Sequence, residues 1–567
     1  MKKTILVAAA SVCLAAACST GNDEARDLQT ETEDNYGLTS SSEVLVTSEQ
    51  GDRLAVKSNI EFVDGQAAGT VVHVHPDIRK QIIVGIGSSF TESSAFVLAH
   101  LDVDAREELM TRVYSESGAN FSLARTVIGA TDFAVTGKYS YAPVANDPML
   151  ENFSIAVDSD GFRKSEHAGI HDETFDLLPM IKDALAIKEA QKDQEFSIVA
   201  SAWTAPPWMK DIEDWYIGGT PDTFGEGTGG ALKEEYRSTY ADYLVRYLDA
   251  YQAEGVDIWG MTPVNEPHGN SGQWESMHFT PETQRDFIKD HLGPTLRSSA
   301  HRDVKVLIYD QNRDEMEHWT DVVLGDPDAA QYVYGTGVHW YASTYRVFEE
   351  VLNRVHDKFP DFDIIHTEGT IDNLGVPAPA GVTDPDKFQE SGWFDNDDFW
   401  WNANATDWAY TATWAPNAEE HPIYTPVHRY ARNIIVSLNN WMSGWIDWNV
   451  VLDREGGPNH VGNFCGAPIM IDTETGQIYY TPIYYVLAQF SRTIRPGDTA
   501  VKTSMSLDGL GEDDLHASAT ISNDGLLSVQ VLNTTKQQTR FNLQVGAQFA
   551  EVTIPANAVQ TIRIPLD

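Results

Sequence analysis

The sequence predicts an α/β protein, a (β/α)8 TIM barrel with an attached β-sandwich side domain built from both chain ends. Three features lead to this prediction. Short apolar runs with strand character alternate with helical patterns over residues 81–497. Residues 498–567 carry only strand patterns separated by short turns, which is typical of a sandwich. Residues 43–80 show the same strand pattern, so we expect them to pair with the C-terminal strands.

The first 18 residues are predicted to be an export signal. Two lysines precede the apolar run Ile5–Val12, and small residues follow it. The segment Leu14–Cys18 resembles a bacterial lipoprotein signal, in which lipid is attached to the cysteine; simple secretion after cleavage is the alternative. Residues 19–42 are polar and predict a flexible linker. We therefore expect an outer-membrane or cell-surface lipoprotein attached through Cys18, or otherwise a periplasmic or secreted protein.

The charge of the chain excludes one class of partner. There are 39 Lys and Arg residues against 84 Asp and Glu residues, which gives a formal net charge of −45. A surface this acidic repels phosphate backbones, so we expect no nucleic-acid binding.

Eight apolar runs are predicted to form the strands of the barrel. They are Gln81–Gly87, Asn120–Val127, Phe196–Ala202, Asp257–Val264, Val304–Tyr309, Tyr334–Trp340, Asp363–Thr367 and Gly444–Asn449. An open doubly wound sheet is the competing architecture, but no glycine-rich phosphate fingerprint follows the early strands.

Helical patterns lie between these strands. A tyrosine-rich stripe from Tyr240 to Tyr251 repeats at helical spacing, and Gly255 follows it as a stop signal. Thr280, Thr425 and Thr481 each precede a proline, which predicts three helix N-termini.

Two glutamates stand at the C-terminal ends of predicted barrel strands, where the working residues of such barrels lie. Glu266 follows the fourth strand in Asn265-Glu266-Pro267, and Glu368 ends the seventh. Retaining glycosidases use two carboxyls about 5–5.5 Å apart, one as general acid/base and one as nucleophile. Each glutamate alone is compatible with a solvated acid in a turn, whereas the pair predicts a site that cleaves a glycosidic bond. Asn265 is suited to bind the sugar 2-hydroxyl.

Further motifs follow the other predicted strands. They are Gly85–Glu92, Arg125–Phe133, Ser201–Lys210, Asp310–Arg313, His339–Tyr341 and, as the most specific string, Gly444–Asn449 continuing to Glu455–Asn459. Together with Asn265-Glu266-Pro267, these motifs resemble glycoside hydrolase family 30 over most of residues 80–500. That family contains lysosomal glucosylceramidase and microbial endo-β-1,6-glucanases.

The resemblance implies roles for individual residues. Glu266 would be the general acid/base and Glu368 the nucleophile. The residues implied to bind the sugar are Asp132, Trp203, Asn265, Tyr341 and Trp448, with Tyr341 close to the nucleophile. A structural salt bridge remains the alternative for Asp132, and core packing remains the alternative for the two tryptophans.

Two neighbouring residues are assigned supporting roles. Arg125 is expected to hold a carboxylate in place rather than to touch substrate. His339 is expected to be a hydrogen-bonded neighbour of the site rather than a metal ligand. We see no metal-ligand spacing and expect no metal and no cofactor.

The sequence is compatible with two substrates, a glucosylceramide-like glycolipid and a β-1,6-glucan. His460 stands where the glucosylceramidase string commonly has an aromatic residue, and Gly369-Thr370 replaces the more familiar Ala-Cys. The aromatic-rich stretch from Asp372 to Pro422 is expected to shape the site, or else to be a packed surface flap. A surface glycan-binding lipoprotein without hydrolytic activity is the alternative function.

Overall fold

The computed structural model describes residues 35–217, 229–269, 272–343, 345–371, 393–401 and 425–566. The predicted signal peptide, the lipidated Cys18 and most of the predicted linker lie outside these residues. The greater part of the aromatic-rich stretch after the seventh strand also lies outside them. Among the described helices, none combines the length and the apolar character that a membrane span requires.

The predicted barrel is confirmed. Eight parallel strands close in sequence order into one barrel, with the last strand paired to the first. The strands are Gly85–Ser89, Leu123–Ile128, Ser197–Ala202, Gly260–Thr262, Lys305–Asn312, Val333–His339, Asp363–Glu368 and Met442–Asn449. We refer to them as barrel strands one to eight.

Two of the predicted strands differ most from the observed ones. Gln81 was assigned to barrel strand one, but it belongs to the long sandwich strand Val71–Ile82. Its side-chain amide donates to the carbonyls of Leu438 and Met442, each at 2.8 Å, which fixes the end of the sandwich strand beside the barrel. The fourth strand was expected over Asp257–Val264, but only Gly260–Thr262 is paired as a strand.

Helices surround the barrel. The α-helices are Glu92–Ala99, Val103–Tyr114, Leu177–Glu189, Arg237–Ala253, Pro281–Phe287, Gly293–Ser298, Met316–Val323, Pro327–Ala330, Glu349–Lys358, Asp397–Trp401, Pro426–Asn439 and Pro482–Thr493. The tyrosine stripe is buried along the helix Arg237–Ala253, as its spacing predicted. Thr280 forms a capping box with Thr283, whereas Thr425 and Thr481 precede their helices without a capping side-chain hydrogen bond.

The sandwich is built from both chain ends, as predicted. Its strands are Glu43–Ser48, Ala55–Val56, Val63–Asp64, Val71–Ile82, Thr499–Ser506, Leu515–Ile521, Leu526–Asn533, Thr539–Val545, Gln548–Ile554 and Ala558–Pro565. The strand Glu43–Ser48 runs antiparallel to the last strand, Ala558–Pro565. The strand Val71–Ile82 pairs with Thr499–Ser506 on one side and with Thr539–Val545 on the other.

The last part of the predicted linker belongs to the sandwich. Leu38 and Ser41 are buried, and the backbone N–H of Leu38 donates to the Gln548 side chain at 2.7 Å. Residues 35–42 are therefore anchored to the sandwich through Leu38, which supplies an apolar side chain to its core, while Asn35, Gly37, Thr39 and Ser42 are exposed.

A small sheet follows barrel strand eight. Val451–Asp453 pairs with Ile469–Asp472, which pairs in turn with Gln477–Tyr480. The sheet fixes both ends of the loop 454–468, which extends across the top of the barrel toward the loop after strand two. We call this segment the strand-eight loop.

Candidate active site

The strand alternation brings a layer of polar residues to the top of the barrel. Five aliphatic side chains from strands two, three, five, seven and eight fill the interior below it: Leu123, Val199, Leu307, Ile365 and Ile446. Residues two positions further along a strand point the same way. Arg125, Ser201, Thr367 and Trp448 are placed in the upper layer by this rule.

Asp310 enters the same layer through a local irregularity. The pairing of strand five with strand six skips Asp310, which is therefore an extra residue on its strand. Tyr309 and Asp310 both have positive φ angles, +73° and +61°, a conformation that ordinary residues rarely adopt. A second irregularity makes Thr367 the extra residue on strand seven. The Thr367 hydroxyl donates to Asp310 at 2.6 Å, so the two irregular positions meet.

The two predicted catalytic glutamates lie together at this end of the barrel. Glu368 is the last residue of strand seven. Glu266 comes shortly after strand four and has a φ of +48°. A carboxylate oxygen of Glu266 lies within 4.8 Å of a carboxylate oxygen of Glu368. That separation leaves room for a single reacting carbon between the two carboxyls.

Arg125 holds the Glu368 carboxylate in place, and holding a carboxylate is the role that was expected of Arg125 from the sequence. Its fully buried guanidinium donates to Glu368, to Asp310 at 2.8 Å and to the Asn265 side-chain oxygen at 2.7 Å. Tyr341 donates its hydroxyl to the other oxygen of Glu368 at 3.0 Å. Both carboxylate oxygens of Glu368 are therefore engaged, which fixes the orientation of the carboxylate.

His339 connects Glu266 to Asp310. Its Nδ1 lies 3.2 Å from Glu266 and its Nε2 lies 3.1 Å from Asp310. Burial opposes the charged ring, but the charge of Glu368 and the hydrogen bonds to Asp310 and Glu266 raise the pKa of His339 to about 9. Burial also opposes the charged form of Asp310, yet Arg125, His339 and Thr367 hold its pKa well below its usual range.

The charges of this cluster assign a proton to Glu266. Arg125 and His339 supply two positive charges against three carboxyls, those of Asp310, Glu368 and Glu266. Buried charges need to be compensated, and this cluster is neutral only if one of its three carboxyls is protonated. Burial raises the pKa of Glu266, and the charge of Glu368 adds to that effect against the opposing hydrogen bond from His339. Glu266 is therefore suited to donate a proton while Glu368 stays charged.

Glu266, His339 and Glu368 also form a group of potential metal ligands within the described part of the chain. Both nitrogens of His339 face carboxylates, and its raised pKa keeps both protonated at neutral pH. A protonated nitrogen has no lone pair for a metal. The chemistry of the donor set therefore favours proton exchange over metal binding.

Asp132 lies beside this cluster. The side-chain amides of Asn459 and Asn463, both in the strand-eight loop, donate to its Oδ2 at 3.1 and 2.9 Å. Burial raises the pKa of Asp132 to about 7 against the opposing effect of the two amides. No salt bridge to Asp132 is found among the described residues, so the structural alternative raised for this residue lacks support there.

The two tryptophans form the wall next to Arg125. Trp203 and Trp448 stack on each other with ring centroids 5.2 Å apart, and the Arg125 guanidinium lies 4.7 Å from the Trp203 ring. Only 2% and 3% of their surfaces are exposed. Each ring therefore has one face occupied by the other, and their packing role is larger than the sequence interpretation assigned to them.

The described part of the aromatic stretch after strand seven is packed. Trp393, Phe399, Trp400 and Trp401 are buried, and the Trp393 indole donates to the carbonyl of Arg454 at 3.0 Å. Trp393 thereby contacts the strand-eight loop. Trp408 and Trp414 lie outside the described residues.

Sequence reasoning missed three functional side chains. Asp310 was quoted only as part of a motif, and Asn459 and Asn463 were not assigned roles. The signal for Asp310 was its place at a strand end beside a predicted active-site strand. The amides carry no comparable signal, because only the folded loop brings them to Asp132.

Comparisons with known proteins agree with this geometry. Residues 83–376 and 419–494 match the glycosyl hydrolase family 30 TIM-barrel domain, and residues 499–562 match the family 30 β-sandwich domain. Putative glucosylceramidase 1 of Caenorhabditis elegans is 31% identical over 91% of this chain and 87% of its own length. Endo-1,6-β-D-glucanase of Neurospora crassa is 27% identical over 81% of this chain and 80% of its own. The crystal structure of SrfJ from Salmonella typhimurium superposes with a TM-score of 0.73 at 22% identity, over 93% of this chain and 99% of that one.

Proposed function

The chain belongs to glycoside hydrolase family 30, and from that premise we propose that it is a retaining glycosidase that cleaves β-glucosidic bonds. The observation that carries the proposal is the approach of Glu266 and Glu368 to within 4.8 Å. Retaining enzymes place their carboxyls about 5–5.5 Å apart, whereas inverting enzymes separate them by about 6.5–9.5 Å to admit a water. The observed approach fits the retaining arrangement.

In the first step Glu368 attacks the anomeric carbon of the bound sugar. The bond from that carbon to the leaving oxygen breaks, and the leaving oxygen takes the proton of Glu266. Arg125 and Tyr341 hold the Glu368 carboxylate, which leaves rotation of the nucleophile restricted at the moment of attack. The side-chain oxygen of Asn265 accepts from Arg125, so its amide N–H groups are the part of the side chain that would donate to a sugar hydroxyl.

In the second step the charge balance reverses. Esterification of Glu368 removes one negative charge from the cluster, so ionised Glu266 restores neutrality. Glu266 then takes a proton from water, the water oxygen bonds to the anomeric carbon, and Glu368 leaves as the carboxylate. His339, whose pKa is raised in the free enzyme, lies 3.2 Å from Glu266 and is placed to donate to the ionised Glu266 of this step.

For the substrate we propose a β-linked glucose unit whose aglycone is either a ceramide-like lipid or a glucan chain. Both kinds of activity appear in the names of relatives that match most of this chain. Hydrolysis of a panel containing glucosylceramide, β-1,6-glucan and β-1,3-glucan, with sizing of the products, separates the two and reports exo or endo action.

The test of the proposed mechanism uses an aryl β-glucoside. We expect hydrolysis by the wild type and loss of hydrolysis in Glu368→Ala, with partial recovery on addition of azide, which can replace the missing nucleophile. A folded wild type that binds β-glucosides but hydrolyses none would favour the non-hydrolytic glycan-binding alternative. Equal rates in the wild type and Glu368→Ala would reject Glu368 as the nucleophile.

We also propose that the protein is exported and held at a membrane through lipidated Cys18, a proposal that rests on its N-terminal sequence. Fractionation of cells expressing the full chain and its Cys18→Ser variant tests this. Release of the variant into the soluble fraction is expected, and membrane recovery unchanged by the substitution would reject the lipid anchor.

A further inference from the structure

The strand-eight loop carries a histidine that joins three parts of the site. The backbone N–H of His460 donates to the carbonyl of Asp132 at 3.1 Å, and its ring Nδ1 lies 3.1 Å from the carbonyl of Ala134. Its Nε2 lies 3.3 Å from a carboxylate oxygen of Glu275. The loop after strand two and the segment after strand four are thereby linked to the strand-eight loop through one side chain.

Glu275 is an unusual residue for its position. Its side chain is fully buried, and neither carboxylate oxygen accepts an aligned hydrogen bond from any residue that the structure describes. A buried carboxylate requires a nearby positive charge. His460 is in ion-pair contact with Glu275, and the Lys210 ammonium is the second cation that acts on it.

Lys210 is committed to other partners. Its ammonium donates to the carbonyl of Ser276 at 2.7 Å and to the hydroxyl of Thr204 at 3.0 Å. Burial lowers the pKa of Lys210 to about 7, so it is a weak source of positive charge at neutral pH. The charge that compensates Glu275 therefore comes mainly from His460.

The ring of His460 is bounded by acceptors on both nitrogens. A carbonyl oxygen on one side and a carboxylate on the other are both satisfied only by the doubly protonated ring. Burial opposes that charge, but the contact with Glu275 and the charge of Asp132 raise the pKa of His460 above its ordinary value. The titratable groups that face this ring in the described structure are Glu275 and Asp132, with Lys210 beyond Glu275.

The position of the His460 ring affects Asp132 through two asparagines of the same loop. Asn459 and Asn463 lie on either side of His460 and donate to Asp132, the residue assigned to a sugar hydroxyl. Both amides bind Oδ2 of Asp132 and so restrict the orientation of its carboxyl, while neither of them contacts Oδ1. A shift of the loop at His460 would move both amides and release the carboxyl that they orient.

We propose that His460 and Glu275 form a charged positioning pair that locks the strand-eight loop onto Asp132 and sets the affinity of the site for its sugar according to pH. The inference rests on the proposed function, because it assigns Asp132 to sugar binding. The pair has no direct role in bond cleavage, so it acts on substrate binding and leaves the chemical step largely unchanged.

The sign of the pH effect follows from the raised pKa of His460. A histidine whose pKa is raised by folding stabilises the folded arrangement below its unfolded pKa of about 6.5, and that stabilisation is lost as pH rises through the folded value. The loop is therefore locked on the acidic side and loosens on the alkaline side. Sugar affinity follows the same direction.

The first experiment compares KM and kcat for an aryl β-glucoside in the wild type, His460→Phe, Glu275→Gln and the double variant. His460→Phe keeps a ring of similar size and removes both N–H groups. We expect each single variant to raise KM about tenfold at about pH 5.5, the effect of losing one charge-assisted contact, with kcat changed less than about twofold. The ratio of variant to wild-type KM should fall toward one as the pH rises through the titration of the wild-type His460 ring.

The double variant tests whether the two residues act together. We expect its KM to equal that of the single variants, because either substitution already breaks the pair. Multiplied effects in the double variant would overturn the proposal. So would a KM ratio that does not change with pH, or a reduction in kcat alone.

A matched control is available at the opposite end of the barrel. His301 and Asp249 form another histidine–carboxylate pair at 2.9 Å, with an exposed carboxylate, on the segment before strand five and the helix Arg237–Ala253. His301→Phe should lower the melting temperature without moving KM or its pH dependence. An equal effect of His301→Phe on KM would show that the His460 result reflects general destabilisation and would overturn the proposal.

A second measurement does not depend on catalysis. The histidine ring resonances of the full-length protein, assigned by their loss in His460→Phe, report the titration of His460 directly. We expect a wild-type midpoint above about 6.5 that falls in Glu275→Gln. A wild-type midpoint at or below about 6.5 would overturn this proposal. Failure of the protein to hydrolyse any β-glucoside would instead overturn the proposed function, and the titration of His460 would still test the pairing with Glu275 independently.

Discussion

Replacing Asp310 by asparagine should change the protonation of Glu266 without touching it. The Asp310 carboxylate is fully buried and accepts four hydrogen bonds, from Arg125, His339, Thr262 and Thr367 at 2.6–3.1 Å. Asp310→Asn keeps the shape of the side chain and removes one negative charge. The cluster is left with two cations and one permanent anion, Glu368, so ionisation of Glu266 becomes the way to restore neutrality.

The magnitude follows from the contact distances. A neighbouring opposite charge within about 4–6 Å typically lowers a carboxyl pKa by about 1–3 units, and the unbalanced His339 acts on Glu266 from 3.2 Å. The basic limb of the kcat/KM profile, which reports loss of the Glu266 proton, should therefore move to lower pH by about one to three pH units. Removing one partner of such a buried ion pair should also cost about 3–5 kcal/mol of unfolding free energy.

The assay is a pH profile of kcat/KM with two leaving groups. Alkyl β-glucosides need protonation of the leaving oxygen, whereas dinitrophenyl β-glucosides depart without it. Asp310→Asn should therefore slow the alkyl substrate about 100-fold or more at neutral pH and the dinitrophenyl substrate much less. An unchanged basic limb, or equal losses for both substrates, would refute the charge-balance reasoning.

Asp447 provides the matched control. It is also a buried aspartate of the upper barrel, on strand eight, where it accepts a hydrogen bond from Tyr430 at 2.7 Å. Burial raises its pKa well above the usual range, which favours the uncharged carboxyl. Its side chain accepts from Tyr430 and has no hydrogen bond to Arg125, His339 or Glu266 in the described structure, so we expect Asp447→Asn to leave the pH profile unchanged and to alter stability by less than about 1 kcal/mol.

Three further predictions concern the nucleophile, a helix cap and acid stability. Glu368→Gln should reduce kcat by at least about 10⁴-fold in steady-state assays of a variant whose circular dichroism shows that it is folded, and a smaller loss would contradict its assignment as the nucleophile. Thr280→Ala should lower the unfolding free energy by about 1 kcal/mol in urea titrations, because its side chain caps the helix Pro281–Phe287, whereas a neutral result would contradict the capping box. Burial raises the pKa values of Glu92 and Asp158 to about 7, so the folded protein binds more protons than the unfolded chain between about pH 4 and 7, and stability falls as pH rises through that range. Scanning calorimetry should give a higher melting temperature near pH 5 than near pH 8, with a smaller difference in Asp158→Asn, and the opposite trend would contradict the raised pKa values.

The barrel and its two glutamates were predictable because they follow from periodic patterns. Apolar runs at regular spacing define the strands, and residues at the C-terminal ends of barrel strands share one face of the fold. Glu266 and Glu368 could therefore be assigned to one site although about a hundred residues separate them in sequence. The sandwich could be assembled from both chain ends for the same reason, since each end carries strands that need partners.

Arg125 and His339 were expected to support the site, but the other supporting residues could not be predicted because their positions depend on local departures from that regularity. Asp310 points into the barrel only because of the positive φ angles at Tyr309 and Asp310, which no residue-type pattern indicates. His460 meets Glu275 only after the strand-eight loop has folded over strand two. The boundary at Gln81 was wrong for a related reason, because the contacts that end its strand come from a helix and a strand far along the chain.

The stereochemistry of the first product is the most direct test of a double displacement at one anomeric carbon. Proton magnetic resonance of the sugar released from an aryl β-glucoside distinguishes the two anomers before they interconvert. Because the carboxyls of Glu266 and Glu368 approach within 4.8 Å, we expect the β-anomer to form first. Initial formation of the α-anomer would mean a single displacement by water and would contradict the roles assigned to both glutamates.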